Sequence, residues 1–255
     1  MFHNQKFLDF IKKKQEEITQ DDIKSYLAHL ISDKKHRPAS VNLALCSLRF
    51  MYKKILEKDI FTKIDSLKTE KKIPTVLTKD EIRQLLSTIK NRKHRLLVVM
   101  MYSSGLRVSE AVNLKTEDLN LNEKIGKVIA GKGKKDRLII LSNNAIDHIE
   151  RYMKYREKKK INSQFLFPSN KDNSKPITVR QAQKIVNIVA EKSGLKKRIF
   201  CHALRSSFAT HLLESGTDIR IIQELLGHSN ISTTERYTKV STAQLKKVKS
   251  PLDNL

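Results

Sequence analysis

Apolar residues in the first third of the chain recur at steps of three and four residues, the spacing of amphipathic helices. One predicted helix begins behind Thr19, which together with Asp22 has the spacing of a capping box. Another is predicted from about Pro38. We therefore expect a short helical domain over residues 1–64. The apolar residues at these steps are Ile23, Tyr26, Leu27, Leu30 and Ile31 in the first helix, and Val41, Ala44, Leu45, Leu48, Met51, Tyr52 and Ile55 form one apolar face of the second.

The following stretch, residues 65–77, has no clear hydrophobic period, carries charges and contains a proline, which is typical of a linker between domains. A new helix is predicted at Thr78, because Glu81 stands at the spacing that completes a capping box. A second helix then leads to Gly105, which is expected to end it. These signals predict the start of a second domain at residue 78.

Residues 126–130 and 137–141 are rich in β-forming side chains and are joined by a turn of glycine and lysine, which predicts an antiparallel hairpin. Three more helices are expected over about 178–193, 203–215 and 218–226, because a glycine follows each of them. The predicted fold is mainly α with a small antiparallel β-sheet, and the second domain covers residues 78–240. Residues 241–255 form a C-terminal tail.

Charge adds information about the partner. The 255 residues include 51 Lys and Arg against 27 Asp and Glu, a formal net charge of +24. This excess exceeds what solubility requires and predicts a polyanion, most simply a nucleic acid, as the partner. A merely lysine-rich proteome or a ribosome-associated protein would give the same composition. Charge therefore does not specify an activity.

The two cysteines, Cys46 and Cys201, are too few for a disulfide framework and lack the paired spacing of a zinc site. They favour a reducing cytoplasm. The N-terminal segment is too polar for a signal peptide, and the longest apolar run, residues 96–102, is far shorter than the roughly 20 residues that span a bilayer. We expect a cytoplasmic, nucleoid-associated protein with no membrane role.

Several residues could bind an anionic oxygen, although each alone is more often an ordinary surface or structural residue. Arg107 stands at the predicted start of a helix, near its positive end. His202 and Arg205, three residues apart, share one helix face and are expected to point outward together. Lys132 lies at the hairpin tip between two glycines. His228 follows a helix-ending glycine, in a loop where backbone N–H groups are expected to be free.

Together with Tyr237, nine residues beyond His228, these residues form an ordered set that is far more specific than its members. In the segments GLRVSEAVNL, GKGKKDRLIIL, HALRSSFATHLL and LLGHSNISTTERYT the chain resembles the tyrosine recombinase family, and it is most similar to the Xer-type recombinases of bacteria and archaea. The resemblance covers almost the whole chain. It implies a helical core-binding domain that clamps DNA, followed by an α+β catalytic domain.

The resemblance also implies the chemistry. Its residues map onto a pocket for one phosphodiester, with Tyr237 as the nucleophile, His202 as the base that activates it and Lys132 as the acid that protonates the departing 5′ oxygen. The pocket residues are Arg107, Lys132, His202, Arg205 and His228. The expected product is a 3′-phosphotyrosyl link, which conserves the bond energy without ATP. Two guanidinium groups and histidine donors can stabilise a pentacoordinate phosphorane, so neither a metal nor a cofactor is expected.

The implied partners are double-stranded DNA with paired inverted half-sites and three further copies of the chain, in a homotetramer that exchanges strands through a Holliday junction. Whether the protein also needs a partner recombinase or an activating DNA translocase stays open. The tail 241–255 is expected to dock on a neighbouring protomer through its apolar residues, which are Leu245, Val248, Leu252 and Leu255.

The chain departs from the family pattern at three places. Ser206 replaces a frequent histidine, Cys201 replaces a frequent proline, and the segment before Thr19 is short for the complete first helix of a four-helix core-binding domain. The first two positions are not catalytic in the family. The leading interpretation is a resolver of chromosome dimers, with the integrase of a mobile element as the alternative. A type IB topoisomerase and a catalytically silent DNA-binding protein are further classes.

Overall fold

The structure, a computed structural model, describes residues 2–58, 60–61, 64–68, 74–129, 136–228 and 234. It separates into two compact units, Met1–Lys72 and Ile73–Leu255. The described residues are mostly helical, with one antiparallel sheet. The predicted fold class, mainly α with a small antiparallel sheet, is therefore confirmed.

The first unit contains helices α1 (Phe2–Ile11), α2 (Gln20–Ser32) and α3 (Pro38–Arg49), and α3 continues into a π-helical segment, Phe50–Ile55. The predicted capping box is present, since the Asp22 N–H donates to the Thr19 hydroxyl and the Thr19 N–H donates to the Asp22 carboxylate at 2.9 Å. The segment before Thr19 does form a helix, α1, and its Phe7 is fully buried. Phe7 packs with core residues of α2 and α3, namely Ile23, Tyr26, Leu27, Leu30, Val41, Ala44, Leu45 and Leu48.

Helix α5 (Arg92–Ser103) is the central element of the second unit. Every residue from Leu96 to Met101 is buried, because the helix packs against five others. These are α4 (Lys79–Ser87), α6 (Val108–Asn113), α7 (Asn143–Lys158), α8 (Val179–Ser193) and α9 (Cys201–Glu214). Leu77, at the end of the predicted linker, is buried in this core, and its N–H donates to Ser207 at 2.9 Å.

The sheet has the strand order β1 (Leu119–Asn120), β2 (Ile125–Val128), β3 (Arg137–Ile140), and both pairs are antiparallel. The predicted hairpin corresponds to β2 and β3, with Val128 opposite Arg137. Strand β1 was not anticipated because two residues give no measurable alternation. The hairpin turn, residues 130–135 with Lys132, lies outside the described residues.

Glycines end the later helices where the sequence predicts them. Gly194 follows α8 with φ 66°, and Gly227 follows α10 (Ile219–Leu226) with φ 61°, both in the left-handed region that favours glycine. Helix α9 begins at Cys201, two residues before its predicted start at Ala203. Within the part of the chain that the structure describes, no helix has the length and apolar character to cross a bilayer.

Candidate active site

The C-terminal end of α10 gathers three arginines that are distant in the sequence. Three consecutive backbone carbonyls accept hydrogen bonds there, each from a different guanidinium. Arg137 donates to the carbonyl of Leu225, Arg205 to that of Leu226, and Arg107 to that of Gly227 at 3.2 Å. Cations are favoured at this position because a helix C-terminus carries partial negative charge and leaves carbonyls without partners.

Glu110 of α6 lies among the same arginines. Its carboxylate accepts from Arg107 and from Arg137 at 2.6 Å each, and it lies 3.7 Å from Arg205. The same carboxylate accepts the backbone N–H of Arg107 at 2.7 Å, which closes the first turn of α6. Burial raises the pKa of Glu110, but the charge of Arg137 and the hydrogen bonds from Arg107 outweigh it and hold the pKa below its ordinary value. Glu110 is therefore an anion that fixes two guanidinium groups.

The three arginines differ in their access to solvent. The exposed fraction of the side chain is 23% for Arg107, 6% for Arg137 and 1% for Arg205. The expectation that Arg205 points outward together with His202 is wrong, since Arg205 is buried and donates to the carbonyls of Gly105 and Leu226. His202 and Arg205 do lie on one face of α9. At Arg205, however, that face is covered by α10 and by the segment after α5.

His228 follows Gly227 and contacts the buried arginine. Its Nε2 lies 3.2 Å from an Nη of Arg205, and its Nδ1 lies 2.9 Å from the hydroxyl of Thr234. An arginine can only donate, so Nε2 accepts, and the ring proton belongs on Nδ1, directed at Thr234. Burial, followed by the charge of Arg205, lowers the pKa of His228 to about 3. The histidine is therefore neutral at physiological pH.

The backbone of His228 is also engaged, contrary to the expectation of a free N–H after the glycine. The His228 N–H donates to the carbonyl of Gln223 at 3.1 Å, and the side chain of Gln223 donates back to the His228 carbonyl at 3.0 Å. The Gly227 N–H donates to the carbonyl of Glu224. The two backbone bonds, from His228 to Gln223 and from Gly227 to Glu224, form the Schellman motif of a helix end.

His202 is exposed in the first turn of α9 and lines an open groove of about 620 Å³ with Val108, Lys197 and Arg198. Its charge would act on His228, because it is among the groups that lower the pKa of that histidine. The structure thus brings Arg107, Arg205 and His228 into one cluster with His202 near it. Lys132 and Tyr237, like most of the segment after His228, lie outside the described residues.

Three guanidinium groups meet one carboxylate here, so the cluster carries an excess of positive charge. Arg107 offers the exposed part of this charge. Such a cluster can hold an anionic oxygen and can stabilise charge that develops on it. Among the described residues, no group of His, Cys, Asp and Glu side chains has the composition of a metal site.

Sequence reasoning missed Glu110, Arg137 and Thr234. Glu110 has the capping-box spacing from Arg107, but the rule looks for Ser or Thr at the first position, so the signal passed unnoticed. Arg137 and Ile139 lie on the same face of β3 by the two-residue period, and Ile139 is buried. An inward-facing arginine requires a buried partner. Thr234 carried no signal.

Most of the chain matches two known family models. Residues 75–244 match the model of the Phage integrase family, and residues 4–62 match that of its N-terminal SAM-like domain. Over 208 residues the chain is 42% identical to tyrosine recombinase XerA of Pyrococcus horikoshii, covering 81% of this chain and 71% of the relative. It is 34% identical to tyrosine recombinase XerD of Staphylococcus aureus, and the match covers 96% of this chain and 84% of the relative.

The fold also has solved counterparts. The crystal structure of the XerH site-specific recombinase bound to palindromic difH substrate, a post-cleavage complex, superimposes with a TM-score of 0.76. The superposition covers 97% of this chain and 77% of that one at 23% identity. At this identity the likeness concerns the fold.

Proposed function

This chain belongs to the phage integrase family of tyrosine recombinases, Xer-type enzymes that cleave and rejoin DNA, and we propose that it cuts DNA through Tyr237 and resolves chromosome dimers. One observation carries the proposal. Arg107, Arg205 and His228, which the sequence separates widely, converge at the end of α10 in a cluster with excess positive charge. Such a cluster suits one phosphodiester.

The chemistry follows from the residues. The phenol oxygen of Tyr237 attacks the phosphorus, the bond to the 5′ oxygen breaks, and a 3′-phosphotyrosyl link forms. His202 takes the phenol proton, and Lys132 gives a proton to the 5′ oxygen. The free 5′ hydroxyl of another strand then attacks the phosphotyrosine and releases Tyr237. No net bond energy is lost, so the reaction is reversible without ATP.

The arginines act on the charge of the phosphorane. Arg107, the most exposed of the three arginines, binds a phosphate oxygen, while its Nη1 donates to Glu110 at 2.6 Å and its Nη2 donates to the carbonyl of Gly227 at 3.2 Å. Arg205 contributes charge from its buried position. The N–H that it now directs at Nε2 of His228 is the donor that a phosphate oxygen would take when DNA enters. His228 would then rotate its ring proton toward the same phosphate.

The partner is double-stranded DNA, which agrees with the net charge of +24 and with the DNA complex formed by the structural counterpart XerH. We further propose that four copies, each with a core-binding domain over residues 1–64 and a catalytic domain over residues 78–240, assemble on two sites with inverted half-sites. Strands are exchanged through a Holliday junction. The tail 241–255 docks on the neighbouring protomer, a contact that closes a ring.

The nucleophile is tested by Tyr237→Phe, which removes only the phenol oxygen. On a nicked suicide DNA substrate the variant should bind as the wild type does and form no covalent adduct. Tyr155→Phe is the matched control, because Tyr155 stacks on Tyr152 away from the cluster and its ring is retained. An adduct formed by Tyr237→Phe would disprove the assignment.

The biological role is tested by trapping covalent complexes with genomic DNA and sequencing the attached fragments. A resolver should yield a single paired-repeat site in the chromosome. Attachment at the ends of a mobile element would instead identify an integrase.

A further inference from the structure

Arg137 is a buried cation that no step of the proposed reaction uses, although it contacts three separate parts of the site. It opens β3, directly after the hairpin turn in which the sequence places Lys132. Its Nη2 donates to Glu110 at 2.6 Å, and its Nη1 donates to the carbonyl of Leu225. Both terminal nitrogens are thus directed at protein groups.

Gly227 fits against the same side chain. A Cβ atom on Gly227 would lie 2.7 Å from Cδ of Arg137, closer than carbon atoms approach without displacement. The aliphatic part of the Arg137 side chain therefore packs directly against Gly227, the residue before His228. This close approach adds a packing contact to the hydrogen bond at Leu225.

Arg137 lies at one end of the β2–β3 ladder that the structure describes. Val128 pairs with Arg137 at the open end of the described ladder, so Arg137 forms the base from which the turn with Lys132 extends. An isolated two-stranded hairpin is only marginally stable, so contacts at its described end help to order its strands. The Arg137 contacts fix that base to α6 and to α10.

We propose that Arg137 is a positioning residue for strand cleavage, which ties the Lys132 hairpin to Glu110 and to the C-terminal end of α10. The proposal rests on the proposed function, since it concerns the proton that Lys132 delivers to the leaving oxygen. Arg137 fixes β3, the strand that follows the segment with Lys132, to the same Glu110 that binds Arg107. Its two terminal contacts require the fork of a guanidinium, which a lysine does not reproduce.

The test compares two suicide substrates, an ordinary phosphodiester and one with a 5′-thio leaving group, which needs no proton from an acid. Arg137→Gln should slow cleavage of the ordinary substrate by about 10²-fold, the scale of a group displaced by about 1 Å. It should slow cleavage of the thio substrate by less than about 10-fold. Arg137→Lys keeps the charge beside Glu110. It should also cleave the ordinary substrate slowly, and its cleavage rate on the thio substrate should be close to that of the wild type.

Arg156→Gln is the matched control. Arg156 is also a buried arginine that donates to two carbonyls, those of Phe165 and Ser163, but it lies outside the cluster. Its substitution should affect both substrates equally. If Arg137→Gln slows both substrates to the same extent, or neither, the positioning role is wrong. If Arg137→Gln does not fold, Arg137→Lys carries the comparison.

Hydrogen exchange without DNA separates this inference from the proposed function. In Arg137→Gln, the amides of β2 and β3 and the His228 amide should exchange faster than in the wild type, and in Arg156→Gln they should not. If these amides exchange at the wild-type rate in Arg137→Gln, Arg137 does not hold the hairpin to α6 and α10, even if the wild type cleaves DNA. A wild type that forms no adduct on either substrate would overturn the proposed function, while faster exchange would still support the tie.

Discussion

Replacing Glu110 by glutamine tests whether one buried carboxylate holds the arginine cluster together. The substitution keeps the size of the side chain and removes its charge. In the wild type the carboxylate lies 2.6 Å from Arg107, 2.6 Å from Arg137 and 3.7 Å from Arg205. Glutamine would still accept from one of these groups, but its NH₂ would face another guanidinium as donor against donor.

The expected loss of stability is large because the side chain of Glu110 is only 4% exposed. Breaking a buried ion pair by removing one partner costs about 3–5 kcal/mol. In a domain of about 150–250 residues each kcal/mol lowers Tm by about 2–4 °C, so Tm of the second unit should fall by about 6–20 °C. Arg107 and Arg137 would then repel each other without a counter-charge.

Thermal unfolding followed by circular dichroism measures this loss, with Glu81→Gln as the control. Glu81 also completes a capping box, with Thr78, and pairs with Lys197 at 2.7 Å, but its side chain is 21% exposed. Because glutamine serves as well in a capping box and the exposed pair is weak, the control should lose no more than about 1 kcal/mol. Equal losses for the two variants would refute the reasoning.

The loss should also depend on pH. The pKa of Glu110 is lower in the folded protein than its ordinary value of 4.5, so its carboxylate contributes stability that is fully present above pH 4.5. That contribution disappears as the pH falls through the folded-state pKa. The difference in Tm between the wild type and Glu110→Gln should therefore be constant near neutral pH and shrink on acidification below pH 4.5.

Two further predictions concern the end of α10. Gly227→Ala should cost more stability than the roughly 1–2 kcal/mol of a left-handed alanine and should slow cleavage, because its Cβ would displace Arg137. Gly194→Ala, at φ 66° with nothing within 4 Å of the added Cβ, should show the backbone cost alone, and equal costs would contradict the close packing. Because its pKa is lowered to about 3, His228 should keep the ¹⁵N shifts of a neutral ring protonated on Nδ1 from pH 5 to 8, and a titration midpoint in that range would contradict the buried contact with Arg205.

The parts of the fold that could be predicted depend on local chemistry. The helix starts at Thr19 and Thr78 were predictable because a capping box uses only four consecutive residues. The helix ends at Gly194 and Gly227 were predictable because only glycine readily adopts the left-handed conformation. The hairpin followed from its β-rich runs. Strand β1 was too short to carry a pattern.

Only some members of the candidate site were predictable from the sequence, and its geometry was not. The order of Arg107, Arg205 and His228 identified them, but no local rule indicated that Arg205 is buried, because α10 and the turn at Gly105 cover it. Glu110 and Arg137 were missed, although each carried a readable signal in capping spacing and strand alternation. The family pattern identifies the residues proposed to bind the phosphate, and it does not identify the groups that hold them.

The end of α10 explains why residues so distant in the sequence meet. The last four residues of a helix leave carbonyls without partners inside the helix. Here the first two of these carbonyls, of Gln223 and Glu224, accept the N–H groups of His228 and Gly227. Arg137 and Arg205 supply the partners for the remaining two, and Arg107 binds the carbonyl that follows.

The same bonds therefore satisfy the helix end and gather the arginines. His228 reaches them because its backbone N–H closes the turn after Gly227, which places the residue beside Arg205. The glycine and histidine in the sequence are thus a signal for this helix end, and the carbonyls of the helix end, rather than the histidine alone, determine where the arginine cluster forms. A substitution that opened this turn would displace His228 and remove one acceptor from each of three guanidinium groups.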